Sequence, residues 1–310
     1  MSSKFIESGG KLVEAYAPLP SVDILVLAAH NDDEMFPAGY LLNRIKEGKK
    51  VGVVVATDGA GSNYKNLPPE KLVPLRTEES RCAIEQLGGS FFVGCGYSSR
   101  SLAPSSGVDT IASELIDIVD AVHPSVFLVQ SPFENHPTHL RVTDAGIAAA
   151  RRAKHRILMV KGYEVWTPLH GIAFVESEML DATITARKFY LQGIYESQNA
   201  ENHYPEATRG LNLFNFVMAD AHISAQQGAS ELYLDMTPLV HDGRFVDVSI
   251  VDYGGGLLFL TQMMRSHLLF HGAGKKELSR ERMLDLLIEE CIPAYRRGVE
   301  EMMGGLMGGG

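Results

Sequence analysis

The feature that most constrains this fold is a fourfold alternation of short apolar runs with stretches of helical spacing. The runs fall at 23–28, 51–57, 90–94 and 125–130. The second, Val51-Gly52-Val53-Val54-Val55-Ala56-Thr57, is apolar almost throughout, as expected of a strand covered on both faces. Helical spacing follows each run: from Met35 to Leu42, over 76–87 with Gly88-Gly89 as its stop, over 108–122, and over 141–154. Crossovers of this length suit parallel pairing. The pattern predicts a Rossmann-like, doubly wound α/β fold with a mostly parallel sheet.

The second half carries a weaker pattern. Strands are expected at 162–166, 173–176 and 245–251, and helices over 180–195, 211–222 and 280–292. The polar segment 199–209 reads as a loop, and Asp252-Tyr253-Gly254-Gly255-Gly256 as a turn without a phosphate-loop pattern. The glycine- and methionine-rich tail 302–310 reads as frayed, and the charges of Lys275-Lys276-Glu277 as a solvated face. With no internal repeat or low-complexity linker, one domain over 1–310 is the default, and 230–310 reads as a C-terminal α+β extension.

Bulk properties exclude some functions. Of 310 residues, 45% are hydrophobic and 21% charged, enough for a sizeable core. A formal charge of -10 with no basic face argues against nucleic acid as the partner. No apolar run approaches the roughly 20 residues that span a bilayer. The N-terminus lacks a signal-peptide pattern. Cys82, Cys95 and Cys291 have no CxxC spacing and read as reduced thiols, which suits a cytoplasmic protein.

The chemistry concentrates in two segments. Ala29-His30-Asn31-Asp32-Asp33-Glu34 follows the first predicted strand and puts one histidine and three carboxylates within five residues. Like charges packed this closely repel, and a cation would relieve them. A helix-capping cluster is the alternative reading of this stretch alone. His136-Pro137-Thr138-His139 follows the fourth strand. In parallel sheets, sites form beyond the carboxyl ends of the strands, where strand order reverses, so the fold would bring both segments together. Two histidines and an aspartate leave a coordination position open, as catalytic zinc sites do. His170, His203, His222, His241, His267 and His271 show no ligand spacing. Trp166 reads as core or pocket wall, and Cys82 as packing.

These motifs resemble the PIG-L / LmbE-like deacetylases, zinc enzymes that remove acetyl groups from N-acetylglucosamine-type substrates. The family's Ala-His-Pro-Asp-Asp-Glu is matched by residues 29–34, and its His-Pro-Asp-His by residues 136–139. Thr57-Asp58-Gly59, Arg76-Thr77-Glu78-Glu79 with Leu87-Gly88, and Lys188 with Ser197-Gln198 also find counterparts. The resemblance spans roughly residues 20 to 200. It implies His30, Asp33 and His139 as Zn2+ ligands, Asp32 as general base and His136 as the group facing the oxyanion. On chemical grounds Glu34 supports a ligand from behind, Thr138 supports its neighbour His136, and the planar fork of Arg76 suits sugar hydroxyls or a phosphate of the substrate.

Two residues depart from the family. Asn31 replaces proline. Thr138 replaces an aspartate and cannot supply its charge, so the pKa of His136 should fall and activity should be reduced but not abolished. Glu134 is expected to compensate by reaching across the loop. The expected substrate is a small N-acetylated sugar or conjugate, selected by loops at 59–75, 95–107 and 195–210, in a protein that could form homo-oligomers. The alternatives are an amidase on another amide, such as a thiol-sugar conjugate or natural-product intermediate, and a non-catalytic sugar-binding protein of the same fold.

Overall fold

A computed structural model describes residues 19–62, 64–102, 105–202, 204–219, 229–271 and 279–307. The four predicted strand–helix alternations are present. Strand β1 is Ile24–Ala28, β2 Val51–Thr57, β3 Phe91–Tyr97 and β4 Val126–Gln130. The helices after them are α1 Ala38–Lys46, α2 Pro69–Leu87, α3 Ser105–Val122 and α4 Pro137–Arg152. Strand β5 follows at Met159–Tyr163, β6 at Val175–Leu180 and, after helices α5 Ala182–Gln192, α6 Glu196–Asn202 and α7 Tyr204–Ala219, β7 at Ala229–Asp235. Helices α8 Thr237–His241, α9 Ile250–His271, α10 Arg280–Leu286 and α11 Ile292–Met307 complete the chain.

The seven strands form one sheet in the order β3-β2-β1-β4-β5-β7-β6. Pairing is parallel from β3 through β5 and antiparallel at β5–β7 and β7–β6. This is the mostly parallel α/β fold that the sequence predicts. Both faces are covered. Leu25, Leu27, Val54 and Ala56 enter one core, while Ile24, Val26, Ala28, Val53 and Val55 enter the other. That two-sided burial is why β1 and β2 read as continuous apolar runs. Strand order reverses between β1 and β4, so the loops after these two strands share one crevice.

Several elements differ from their expected form. Helix α2 begins at Pro69 rather than near residue 76, because Pro69 occupies the first turn, where a missing N–H costs nothing. The segment 199–209, expected as loop, is helical in α6 and α7 wherever it is described. Among the described residues of this segment only Thr208 is buried, so no apolar stripe marked it. The expected strand at 245–251 is a helical turn at Gly243–Phe245 followed by the start of α9. Its carbonyls pair with a side chain instead of a strand: Arg151 donates to Phe245 at 2.9 Å and Val248 at 3.3 Å.

The glycines at 254–256, read as a turn, lie inside α9. A Cβ on Gly255 would stand 2.5 Å from the Tyr295 ring and one on Gly256 2.5 Å from the Ile292 side chain, so these two glycines let α11 approach. Residues 302–307 of the tail continue α11. Residues 308–310, expected to fray, and Lys275-Lys276-Glu277, expected as a solvated face, lie outside the described residues. Strand β7 was not anticipated, and it places the start of the 230–310 segment inside the main sheet.

Candidate active site

The first loop is clamped where it leaves β1. Thr57, at the end of β2, donates from its hydroxyl to the Ala29 carbonyl at 2.7 Å. The loop then folds on Asp33. The Asp33 Oδ2 accepts from the His30 backbone N–H at 2.8 Å and lies 3.2 Å from His30 Nδ1. From the other loop, His139 Nε2 comes within 3.2 Å of His30 Nδ1 and 3.3 Å of Asp33 Oδ2. His30, Asp33 and His139 thus present one ligand atom each at the corners of a nearly equilateral triangle. Ligands on one face of a tetrahedron with bonds of about 2.0–2.1 Å stand roughly 3.3–3.4 Å apart. The donor set fits a divalent cation in size and in chemistry.

His136 is more distant and stands at the mouth. The nitrogens of His30, His136 and His139 all lie within 4.8 Å of one another. The tighter His30/Asp33/His139 set is the better ligand triad, because bonds of about 2 Å need the closer spacing.

The electrostatics point the same way. Burial pushes the Asp33 carboxyl up, but the charge and hydrogen bond of His139, with those of His30, outweigh it and hold Asp33 well below the usual carboxylate range. Burial pulls His139 down, yet Asp33 and then Glu134 lift it to about 10. A proton on His139 is the charge that a divalent cation would displace. Behind the ring, Glu134 Oε2 lies 3.4 Å from His139 Nδ1. Glu134, expected to assist His136, therefore meets His139 instead.

Asp32 sits on an unusual backbone, with φ 107° and ψ -31°. Its N–H donates to Glu34 Oε2 at 2.8 Å, and Tyr195 donates to Glu34 Oε1 at 2.8 Å. Glu34 thus holds the Asp32 backbone rather than a ligand. Burial, then the charge of Asp33, raise the Asp32 pKa well above that of an ordinary aspartate.

His136 caps helix α4, and the Thr138 N–H donates to its Nδ1 at 3.3 Å. That bond leaves Nε2 as the N–H donor of a neutral ring. Its pKa is lowered, by desolvation first and then by His30 and His139.

Arg76 is 3% exposed. It donates from Nη1 to the Gly59 carbonyl and from Nη2 to the Asn31 carbonyl, both at 2.7 Å, and stands 3.8 Å from Asp32 Oδ1. Gly59 has φ 67° and no Cβ, and a Cβ there would lie 2.5 Å from the guanidinium. One turn on, Glu79 accepts from the Ser197 N–H at 2.8 Å and from its hydroxyl. The Arg-x-x-Glu and Ser-Gln motifs are therefore physically joined.

The sequence reading missed Glu231 of β7. It accepts from the N–H groups of Gly39 and Tyr40 at 2.9 and 2.8 Å, at the start of α1, and from Lys188 at 2.6 Å. Lys188 also donates to the Phe36 carbonyl at 2.7 Å and to Asn212 at 2.8 Å. A glutamate within the apolar run Ala-Ser-Glu-Leu-Tyr-Leu is the one trace of this anchor in the sequence.

A cavity of about 410 Å³ opens over the triad, lined by His30, Asp32, Asp33, Arg76 and His136, with Trp166 and Tyr204 among the remaining walls. Gly59, Ser99 and Gln198 from the three expected loops also reach it. His170 packs on Phe214, and His241 Nε2 meets the Ile157 carbonyl at 2.5 Å, away from the cavity. His203, His222 and the side chains of His267 and His271 lie outside the described residues.

Residues 25–150 match the family model PIG-L: GlcNAc-PI de-N-acetylase. No curated protein matches the chain. Among solved structures, N,N'-diacetylchitobiose deacetylase from Pyrococcus horikoshii is similar with a TM-score of 0.56 and 18% identity, over 73% of this chain and 88% of that one. A zinc-inhibited form of teicoplanin deacetylase gives 0.55 and 16%, over 68% and 98%. A 4-carboxy-2-hydroxymuconate hydratase from Pseudomonas putida KT2440 gives 0.54 and 19%, over 70% and 96%. At these identities the likeness shows a shared fold, and that fold hosts more than one reaction. The resemblance drawn from the two histidine motifs is borne out by the family match.

Proposed function

From a chain whose residues 25–150 carry the PIG-L family pattern, we propose a zinc-dependent hydrolase that removes an N-acetyl group from an amino sugar or its conjugate. The observation that carries this reading is the triangle of His30 Nδ1, Asp33 Oδ2 and His139 Nε2, with sides of 3.2–3.3 Å. A zinc ion held there would acidify a water and polarise the acetamide carbonyl.

The chain's own residues supply the remainder. Asp32, with its raised pKa, takes the proton of the attacking water and returns it to the departing amine. His136, neutral and with Nε2–H free to donate, stabilises the oxygen that gains charge as the tetrahedral carbon forms. Arg76 donates to the loops at Asn31 and Gly59 and stands beside Asp32, so its part is to fix the position of Asp32. Thr138 contributes through its backbone N–H, which any residue there except proline would supply. The free thiols Cys82, Cys95 and Cys291 fit a reducing, cytoplasmic setting. No helix among the described residues is long and apolar enough to cross a membrane.

The test is acetate release from N-acetylated sugars and conjugates, with added zinc and with chelator. The reading expects release that chelator abolishes and that Asp32→Asn lowers by about 10²–10⁴-fold with zinc content unchanged. Release insensitive to both would contradict it. An amidase acting on another amide would show the same chelator sensitivity on a different substrate, and a binding protein would release nothing.

A further inference from the structure

The cavity wall beside the triad is aromatic. Trp166 is 38% exposed and lines the cavity. It packs edge-on against Phe36 with centroids 5.3 Å apart and leans on Tyr204 at 4.7 Å. Its backbone is held in place: Glu134 accepts the Trp166 N–H at 3.2 Å and the Val165 N–H at 3.0 Å. The same carboxylate meets His139, so the ring is fixed relative to the ligand triad. A large aromatic side chain open to water in a concave site, on a rigid mount, is available surface for an apolar ligand face.

The opposite walls are polar and almost uncharged apart from the catalytic groups. Ser62, Ser99 and Gln198 offer hydroxyl and amide groups. Arg76 is the one Lys or Arg among the described residues of the lining, and it donates to the Asn31 and Gly59 carbonyls.

We propose that Trp166, backed by Tyr204, is the platform for the ring of a hydroxyl-rich substrate: a pyranose whose C–H face lies on the indole and whose N-acetyl arm reaches the His30/Asp33/His139 triad. The ring platform stands by itself, whereas the placement of the acetyl arm rests on the deacetylase reading above.

The chain contains a single tryptophan, so its fluorescence reports this wall alone. The experiment titrates the full-length chain in chelator, where hydrolysis is suppressed, with N-acetylglucosamine and methyl glucoside, with circular dichroism confirming the fold. Saturable change in Trp166 emission with both sugars is expected. With zinc restored, Trp166→Ala should raise KM for the sugar about tenfold or more while kcat stays within about threefold, and Trp166→Phe should recover most of the loss.

No emission change at any sugar concentration, together with an unchanged KM in Trp166→Ala, would overturn the platform even if acetate is released. Sugar binding at Trp166 without acetate release would leave the platform standing and remove the deacetylase reading instead.

Discussion

At Asp32 the backbone takes φ 107°, a conformation that favours glycine and costs an aspartate on the order of 1–3 kcal/mol. Such a conformation persists only where neighbours fix it, and Glu34 does so from two sides. Its Oε2 accepts the Asp32 N–H, and its Oε1 is anchored by Tyr195. Glutamine at this position has one acceptor oxygen and would set its NH2 against one of those donors. Glu34→Gln is therefore expected to lower kcat by about tenfold to a hundredfold. Zinc content should stay at the wild-type level, since His30, Asp33 and His139 are untouched. Steady-state kinetics beside metal analysis checks this, and loss of metal in that variant would show that Glu34 supports a ligand after all.

Between elements, the main anchor is the buried pair of Lys188 on α5 and Glu231 on β7. It ties the start of α1, and so the loop that carries His30 to Glu34, to the antiparallel end of the sheet. Removing only the cation strands a buried carboxylate, so Lys188→Met should cost about 3–5 kcal/mol in denaturant unfolding. A second contact joins β5 to α7. Glu164, just after β5, accepts from the Leu169 N–H and the Asn215 amide, both at 2.6 Å.

Burial pushes the Glu164 carboxyl up to about 7 against these hydrogen bonds. Between its unfolded value near 4.5 and about 7, the folded chain binds more protons than the unfolded one. Stability from this group is therefore full below that window and falls as pH rises through it. The fall should be on the order of 3 kcal/mol. Glu164→Gln should flatten this part of the pH–stability curve. An unchanged curve would contradict the assignment.

Across the whole molecule, the parallel half of the fold was legible because β1 and β2 are buried on both faces and read as unbroken apolar runs. Placing both histidine loops at the β1–β4 crevice followed from that topology. The antiparallel half was obscure for the opposite reason. Strand β7 buries Ser230 and Glu231, and α7 buries Asn212 and Asn215, each hydrogen-bonded to a partner that no periodicity reveals. The strand-like alternation at 245–251 misled because Arg151 takes the carbonyls that a neighbouring strand would have paired.

Within the site, the residue types were readable but not their contacts. Arg76 holds two loops, and Glu34 and Glu134 support Asp32 and His139 across distances set by the fold. The proposed cation site, one divalent ion held by His30, Asp33 and His139 together, can be tested by anomalous diffraction at the zinc edge from crystals grown with zinc. A single strong peak is expected about 2.0–2.2 Å from His30 Nδ1, Asp33 Oδ2 and His139 Nε2. A peak ligated by His136 in place of Asp33, or no peak in the crevice, would rule the triad out.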